Sequence, residues 1–585
     1  MANCKSTRNK GVCAVNKVQQ YISGKSPLPE KYMILPVYGA GLDNVGDEEG
    51  GTIEKVMDQI ADDELLVRHD ADSICFSDIK VIKQGQDHPR IYQNMSEDPV
   101  VLGHELTMTI VKVGEKLKGK YKIGQRFTIQ ADIYEKGVSY AYGYYFQGGM
   151  SQYGVIKPIV LSSDGGNNNL LPLKDSTGYA EGALAEPWAC VVAAYSLRYR
   201  RTLKAGGKAW FIGVDDERIF ELTTGFDIES HPGTVYVTGL NESMNALIVK
   251  KAQEYGTNVV TVDTIDDLPV EFVDDIIMLG VDIEKVECCS TKLDKFGIFC
   301  VMADKNLDKK VSLDLGRIHY HRWLYIGSTG TDISAAYQNS LPRNTLLSGG
   351  TALYAGAGGP IGRMHVQRAI EFQNPPRKIV CTDVSEMRLQ DMRDTYSAQA
   401  AERGIELVLL NPMEKASYLA AIQEVMNEGG FSDVIVLAPI APLIEEISGY
   451  LAEDGLMNIF AGIARGTMVK VDFEQVYRKN IRYIGHSGSR LDDMQLTLDK
   501  IESGELNATR TVAAVGSLHY GRDGLKAVND AKYPGKVVIF NHIKKFPVTS
   551  LPEFKEKLPT VFALFEHGEW TNAAEKEFLR LMLVD

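Results

Sequence analysis

Between about residue 30 and residue 200 the chain breaks into short apolar or alternating runs, LLVRH, DPVVLG, TMTIVKVG, QRFTIQA and QYGVIKPIVL, separated by Gly and Asp. Runs of that length and period, with those breaks, predict a β-rich region. From about 207 the pattern changes to apolar strands separated by helix-length segments, which predicts βαβ units and a parallel sheet. After about 505 it is mixed: AKYPGKVVIFN reads as a closing strand, and SLPEFKEKLPTVFALFEHGEWTNAAEKEFLRLML as a charged helical tail.

The α/β region repeats itself. Residues 311–330, VSLDLGRIHYHRWLYIGSTG, align without gaps on 469–488, VKVDFEQVYRKNIRYIGHSG, at an offset of 158. VDDIIML (273–279) matches FSDVIVL (431–437) at the same offset. Upstream, KAWFIGVDD (208–216) corresponds to TALYAGAGG (351–359), and GTVYVTGLNES (233–243) to RKIVCTDVSEM (377–387). Surface-loop insertions account for the drift in offset, and the region reads as two nucleotide-binding-like domains in tandem.

The copies differ where chemistry would occur. Copy two has AGAGGPIGRM after a strand, so Gly356, Gly358, Gly359, Pro360, Ile361 and Gly362 form a turn where backbone N–H groups can approach a pyrophosphate. Its next strand ends at Asp383, where a carboxylate can accept from ribose hydroxyls and repel a 2′-phosphate, favouring NAD over NADP. The spacing is imperfect, since a strict G-x-G-x-x-G ending at Gly362 puts Ala357 first. The flanking strand, helix and Asp383 carry the cofactor reading. Copy one has FIGVDDERIFEL in place of the turn and Gly239 in place of Asp383, so it is expected to bind dinucleotide poorly or not at all.

A length of 585 residues implies two to four domains. A net charge of −14 argues against a nucleic-acid partner, and no apolar run is long enough for a transmembrane helix. The first residues lack the apolar stretch of a secretory signal, so no membrane and a cytoplasmic location are expected. Cysteines at 4, 13, 75, 190, 288, 289, 300 and 381 have no spacing that reads as a disulfide scaffold, and only Cys75 is expected to carry chemistry.

Cys75 is followed by Ser77 and Asp78; His104 and Glu105 come about thirty residues later, and Glu186 about eighty further on. Taken singly, a cysteine after a strand reads as a small buried hydrophobe, and a His-Glu pair as a surface or satisfied core pair. Together, thiolate, imidazole and carboxylate make a borderline-soft set suited to Zn²⁺ with a position left for water or an alcohol.

C-x-S-D, then G-H-E rising into V-x-x-V-G, then G-x-R-F, G-G-x-x-x-Y and A-E-P, resemble the zinc-containing medium-chain dehydrogenase/reductase superfamily. Within it the chain is similar to the polyol dehydrogenase group and its L-sorbose 1-phosphate reductase branch. The Q-G-x-D-H segment (Gln84 to His88), G-Q-R-x-x-I-Q-A (Gly124 to Ala131) and Tyr483 to Gly488 carry that likeness. It covers roughly 30–200 and 350–545, without obviously reaching copy one or the termini.

The resemblance implies Cys75, His104 and Glu186 as zinc ligands, with Glu105 as an exchanging fourth ligand or the partner of a zinc-bound water. It implies Ser77 as the hydroxyl relaying the substrate proton and Asp78 as the residue steadying His104. The implied fold is α/β: a GroES-like β-barrel catalytic domain plus a Rossmann-type doubly wound parallel sheet, with copy one as a second, degenerate Rossmann-like domain. The expected division is an N-terminal extension (1–30), the catalytic domain (31–205 and 506–547), the degenerate domain (206–345), the NAD-binding domain (346–505) and a helical tail (548–585).

With no cysteine between Cys75 and Cys190, one catalytic zinc and no structural zinc are expected. The tyrosines of YAYGYYFQGG (140–149) suit a polyhydroxylated substrate or serve as barrel filler. The expected activity is reversible oxidation of a secondary hydroxyl on a sugar, polyol or sugar phosphate by a homodimer or homotetramer. Two alternatives stand beside it: tightly held NAD used for transient oxidation in an epimerase, lyase or glycoside-cleaving reaction, and a non-catalytic NAD-binding scaffold.

Overall fold

A computed structural model describes residues 17–584. Cys4, Cys13 and most of the expected N-terminal extension lie outside the described residues. The chain forms two compact units, one made of the chain to Val192, Gly359–Met364 and the chain from Ser489, the other of Ala193–Gly358 and His365–Gly488.

The first unit is built on a mixed eight-stranded sheet. Its centre is Leu65–Ser73, buried along its whole length, flanked by Glu105–Val113 on one side and by Lys536–Phe540 on the other, both antiparallel. Arg126–Ile129 and Tyr153–Ile156 extend the sheet, whereas the second half of the run QYGVIKPIVL, Pro158–Leu161, turns into a helix at its proline. Ser73 lies opposite both Glu105 and Val538, which brings a segment from the far end of the chain beside the His104-Glu105 pair.

The C-terminal tail is part of this unit's core. It begins with a short strand, Thr549–Ser550, and ends in the helix Asn572–Met582. Phe554, Trp570 and Phe578 pack with Phe540 and with Trp188 of the helix Tyr179–Ala193, which carries Glu186. Glu575 accepts the Tyr179 and Ala180 backbone N–H groups at 2.6 and 2.9 Å. It thus takes up two donors that the start of a helix otherwise leaves unpaired.

The second unit holds both repeats, each a six-stranded parallel sheet of the same order. Copy one runs Asn258–Thr261, Thr234–Thr238, Lys208–Gly213, Val273–Leu279, Leu293–Met302 and Leu324–Ser328. Copy two runs Glu406–Leu410, Lys378–Thr382, Thr351–Ala355, Phe431–Val436, Leu451–Ile459 and Arg482–Gly485. The register slips at Val273/Asp275 and again at Phe431/Asp433.

At each slip an arginine clamps the buried aspartate. Arg200 donates to Asp275 at 2.9 Å and to Asp274 O; Arg343 donates to Asp433 at 2.9 Å and to Ser432 O. The backbone N–H groups of Lys204 and Leu347 complete the two carboxylates. A duplicated bulge with a duplicated clamp identifies the copies as structural repeats.

The copies meet through an antiparallel ribbon, Val311–Asp314 on Met468–Val471. Val311 faces Val471 and Leu313 faces Val469, so exchanging equivalent residues reproduces the pairing. This is the self-complementary geometry of a twofold contact, closed here within one chain.

Candidate active site

Cys75 caps the helix Phe76–Gln84, and its backbone N–H donates to Asp78 Oδ2 at 2.9 Å. Ser77, on the first turn of the same helix, donates from Oγ to Cys75 Sγ at 2.9 Å and lies 3.2 Å from His104 Nε2. The other ring nitrogen, Nδ1, is 3.2 Å from Asp78 Oδ1. The C-x-S-D spacing therefore turns one helical start into a thiol, a hydroxyl and a carboxylate arranged around one imidazole.

Donor atoms of Cys75, His104 and Glu105 lie within 4.8 Å of one another, the one such group of His, Cys, Asp and Glu among the described residues. Burial opposes a charge on His104, but Tyr144, Asp78 and Cys75 around it hold its proton affinity well above the ordinary value. Surroundings that attract a proton to a buried ring are also suited to a metal cation. A thiol, an imidazole and a carboxylate at this spacing fit zinc.

Glu186 is beside this group and not within it. It is near enough to feel the charges of His104 and Glu105, and burial first, then Glu105, push its carboxyl up to about 7. Cys190, one turn further along the helix, approaches Glu186 Oε1 at 3.5 Å. This cysteine had no chemistry expected of it, and its i,i+4 spacing from Glu186 was the available signal.

The sequence reading also missed Lys536. Its Nζ donates to both oxygens of Glu105 at 2.7 and 2.6 Å, with both side chains buried. Burial lowers the Lys536 ammonium, and Glu105 more than offsets this, leaving it above its ordinary value.

The tyrosine-rich segment divides between filler and site. Tyr142 is buried with its hydroxyl 2.8 Å from His69 Nε2, a contact internal to the sheet. Tyr144 instead lies 5.6 Å from the His104 ring and stacks on His88 at 5.7 Å. The Arg90 guanidinium sits over the Tyr144 ring at 5.5 Å and pairs with Asp132 at 2.6 Å. The Q-G-x-D-H segment thus ends in a cationic, aromatic wall next to the metal-ligand group.

In copy two the Gly-rich turn is tied to Asp383. Gly358 N–H donates to Asp383 Oδ2 at 3.0 Å, and Ser385 N–H to Oδ1 at 2.9 Å. A Cβ on Gly358 would lie 2.7 Å from that carboxylate oxygen, so only glycine fits. The helix Pro360–Glu371 follows the turn.

Copy one has no helix between its first two strands: residues 214–233 are irregular. Arg218 pairs with Asp216 at 2.7 Å and donates to Met302 O and Thr329 O, fixing this loop over the strand ends. Asp216 is neutralised within the loop, and no helix N-terminus is presented for a phosphate.

A GroES-like fold at the metal-ligand group and a duplicated Rossmann-type sheet define a dehydrogenase architecture. Residues 61–162 match the alcohol dehydrogenase GroES-like domain. Over most of its length the chain is similar to curated dehydrogenases and reductases of polyol and sugar phosphates. Mannitol-1-phosphate 5-dehydrogenase of Aliivibrio fischeri is 24% identical, over 85% of this chain and 85% of its own. L-Sorbose 1-phosphate reductase of Klebsiella pneumoniae is 22% identical, over 88% of this chain and 92% of its own.

Residues 206–345 make up 140 of the 585, so alignments of 85% and 88% extend into copy one, beyond the range read from the motifs. Among solved structures, 2R,3R-butanediol dehydrogenase of Bacillus subtilis is 15% identical with a TM-score of 0.48, over 87% of this chain and 99% of that one. No helix among the described residues is long and apolar enough to cross a membrane.

Proposed function

We propose that this protein is a zinc-dependent, NAD(H)-linked oxidoreductase that interconverts a secondary hydroxyl and a ketone on a sugar, polyol or sugar phosphate. The observation that carries the reading is the convergence of Cys75, His104 and Glu105 donor atoms, with Ser77 Oγ between Cys75 and His104. Cys75, His104 and Glu186 would hold the zinc, with Glu105 as an exchanging fourth ligand or the partner of a zinc-bound water. One such zinc would supply Lewis acidity that makes the substrate hydroxyl easier to deprotonate. NAD, held by copy two at the Gly356–Gly362 turn and Asp383, would accept the hydride.

The protein's own groups handle the proton and the substrate. Ser77 Oγ relays the substrate proton, accepting it as its own hydroxyl proton passes on to solvent, and Asp78 keeps the His104 ring oriented. Lys536 holds Glu105 in place by donating to both of its oxygens. Tyr144 offers an aromatic face, and Arg90 beside it offers a guanidinium to a hydroxyl or phosphate at the far end of the substrate. The sugar phosphates named for the two relatives support that choice of substrate.

Cys75→Ala and His104→Ala are expected to lose stoichiometric zinc, and activity with it, while keeping the wild-type circular dichroism spectrum. Full zinc content in either variant would remove the metal assignment.

A further inference from the structure

The degenerate copy leaves a question of purpose, because its own phosphate turn is gone. Its contacts with copy two supply an answer. A dinucleotide on a parallel sheet of this order lies across the C-terminal strand ends, with the halves on either side of the first strand. Asp383, following Lys378–Thr382, marks one side for the adenosine half. The ends of Leu451–Ile459 and Arg482–Gly485 lie on the other side, which leaves them to the nicotinamide half.

Both ends are held by one residue of copy one. His319, on the helix Leu315–His321, lies 2.8 Å from Ile459 O through Nδ1 and 3.1 Å from Ser487 Oγ through Nε2. A carbonyl can only accept, so Nδ1 carries the proton, and in the neutral ring Nε2 accepts a hydrogen bond that the Ser487 hydroxyl donates. That leaves Ser487 Oγ free to accept from a donor such as a carboxamide N–H.

Packing enforces the contact. A Cβ on Gly485 would lie 2.8 Å from His319 Cα, so the helix sits directly against the strand end. The contact has a twofold counterpart with different chemistry. Position 477, equivalent to 319 at the offset of 158, is tyrosine. Tyr477 packs on Gly327 and donates to Lys305 O at 2.7 Å, at the edge of the copy without a phosphate turn.

We propose that copy one acts as a permanently attached second subunit, and that His319 is a positioning residue for the nicotinamide half of a dinucleotide bound in copy two. The inference rests on the reading of copy two as the NAD site. Because both sheets already meet through this edge, the geometry that could have joined two chains is used within one.

The test compares NADH with ADP-ribose, which lacks the nicotinamide, by titration of the full-length protein. His319→Phe keeps an aromatic ring and loses both hydrogen bonds; it should weaken NADH binding by about three- to tenfold. ADP-ribose binding should stay within about twofold, since its contacts lie on the other side of the sheet. Tyr477→Phe, which removes the counterpart contact, should leave both ligands as in wild type.

Equal weakening of both ligands, no weakening of NADH, or the same effect from Tyr477→Phe would overturn the role of His319. Wild-type protein that binds neither ligand would overturn the NAD reading itself, and the inference with it. Should His319→Phe not fold, His319→Asn, which can make only part of the contact, is held to the same outcomes.

Discussion

Lys536 and Glu105 form a buried ion pair next to a metal-ligand group, and the two residues are 431 positions apart. An unpaired carboxylate in such a place is costly, so removing one partner is worse than removing both. Lys536→Met should destabilise the metal-free protein by about 3–5 kcal/mol. Adding Glu105→Gln should recover part of that loss, because the remaining side chain then carries no charge. Denaturant midpoints of the two single variants and the double variant measure this. An additive double variant would show that the pair is not coupled.

At this scale, what was legible in the sequence was local. Cys75, Ser77 and Asp78 lie within four residues, and the start of one helix brings them together, so their spacing was informative. His104 and Glu105 are adjacent, yet Glu105 turns to Lys536 from the other side of a strand, and nothing in AKYPGKVVIFN marks that lysine. Arg90 was equally hidden as a candidate phosphate contact, because its placement over Tyr144 depends on the loop between a helix and a strand. Asp383 was legible because the strand–turn–helix–strand pattern fixes its distance from the glycines.

Among the elements, the helix Tyr179–Ala193 shows how remote parts support the site. It carries Glu186 and Cys190, and its N-terminus is satisfied by Glu575 from the last helix. Burial pushes the Glu575 carboxyl from 4.5 up to about 6, although the Ala180 and Tyr179 N–H groups oppose this. A group with a raised folded-state value contributes stability fully below about pH 4.5, and loses it as pH rises through about 6. Glu575→Gln removes that dependence, so wild type should lose about 2 kcal/mol relative to the variant between pH 4.5 and 7. Parallel unfolding curves across this range, with no change in the difference, would contradict it. The tail read as a charged helical appendage because its apolar residues are spaced across several short helices, and their common core appears only on folding.

For the whole molecule, the duplication was legible in an ungapped match and is visible in detail as a repeated bulge and arginine clamp. The twofold ribbon was not legible, since Val311–Asp314 and Met468–Val471 show their equivalence in sequence but not that they pair with each other. Copy one's loss of a glycine turn was also plain, while the missing helix and the Arg218 clasp required the fold. The outcome is a chain with two similar sheets, of which copy two keeps a Gly-rich turn before a helix, and the proposed NAD site is placed there.

The most direct measurement of the central claim is steady-state NAD reduction by the zinc-loaded protein on a panel of polyols and their phosphates. NADH accumulating in step with ketone, lost on chelation, restored by zinc and much weaker with NADP, is the predicted result. Product formed without NADH accumulation, or turnover indifferent to zinc, would contradict it.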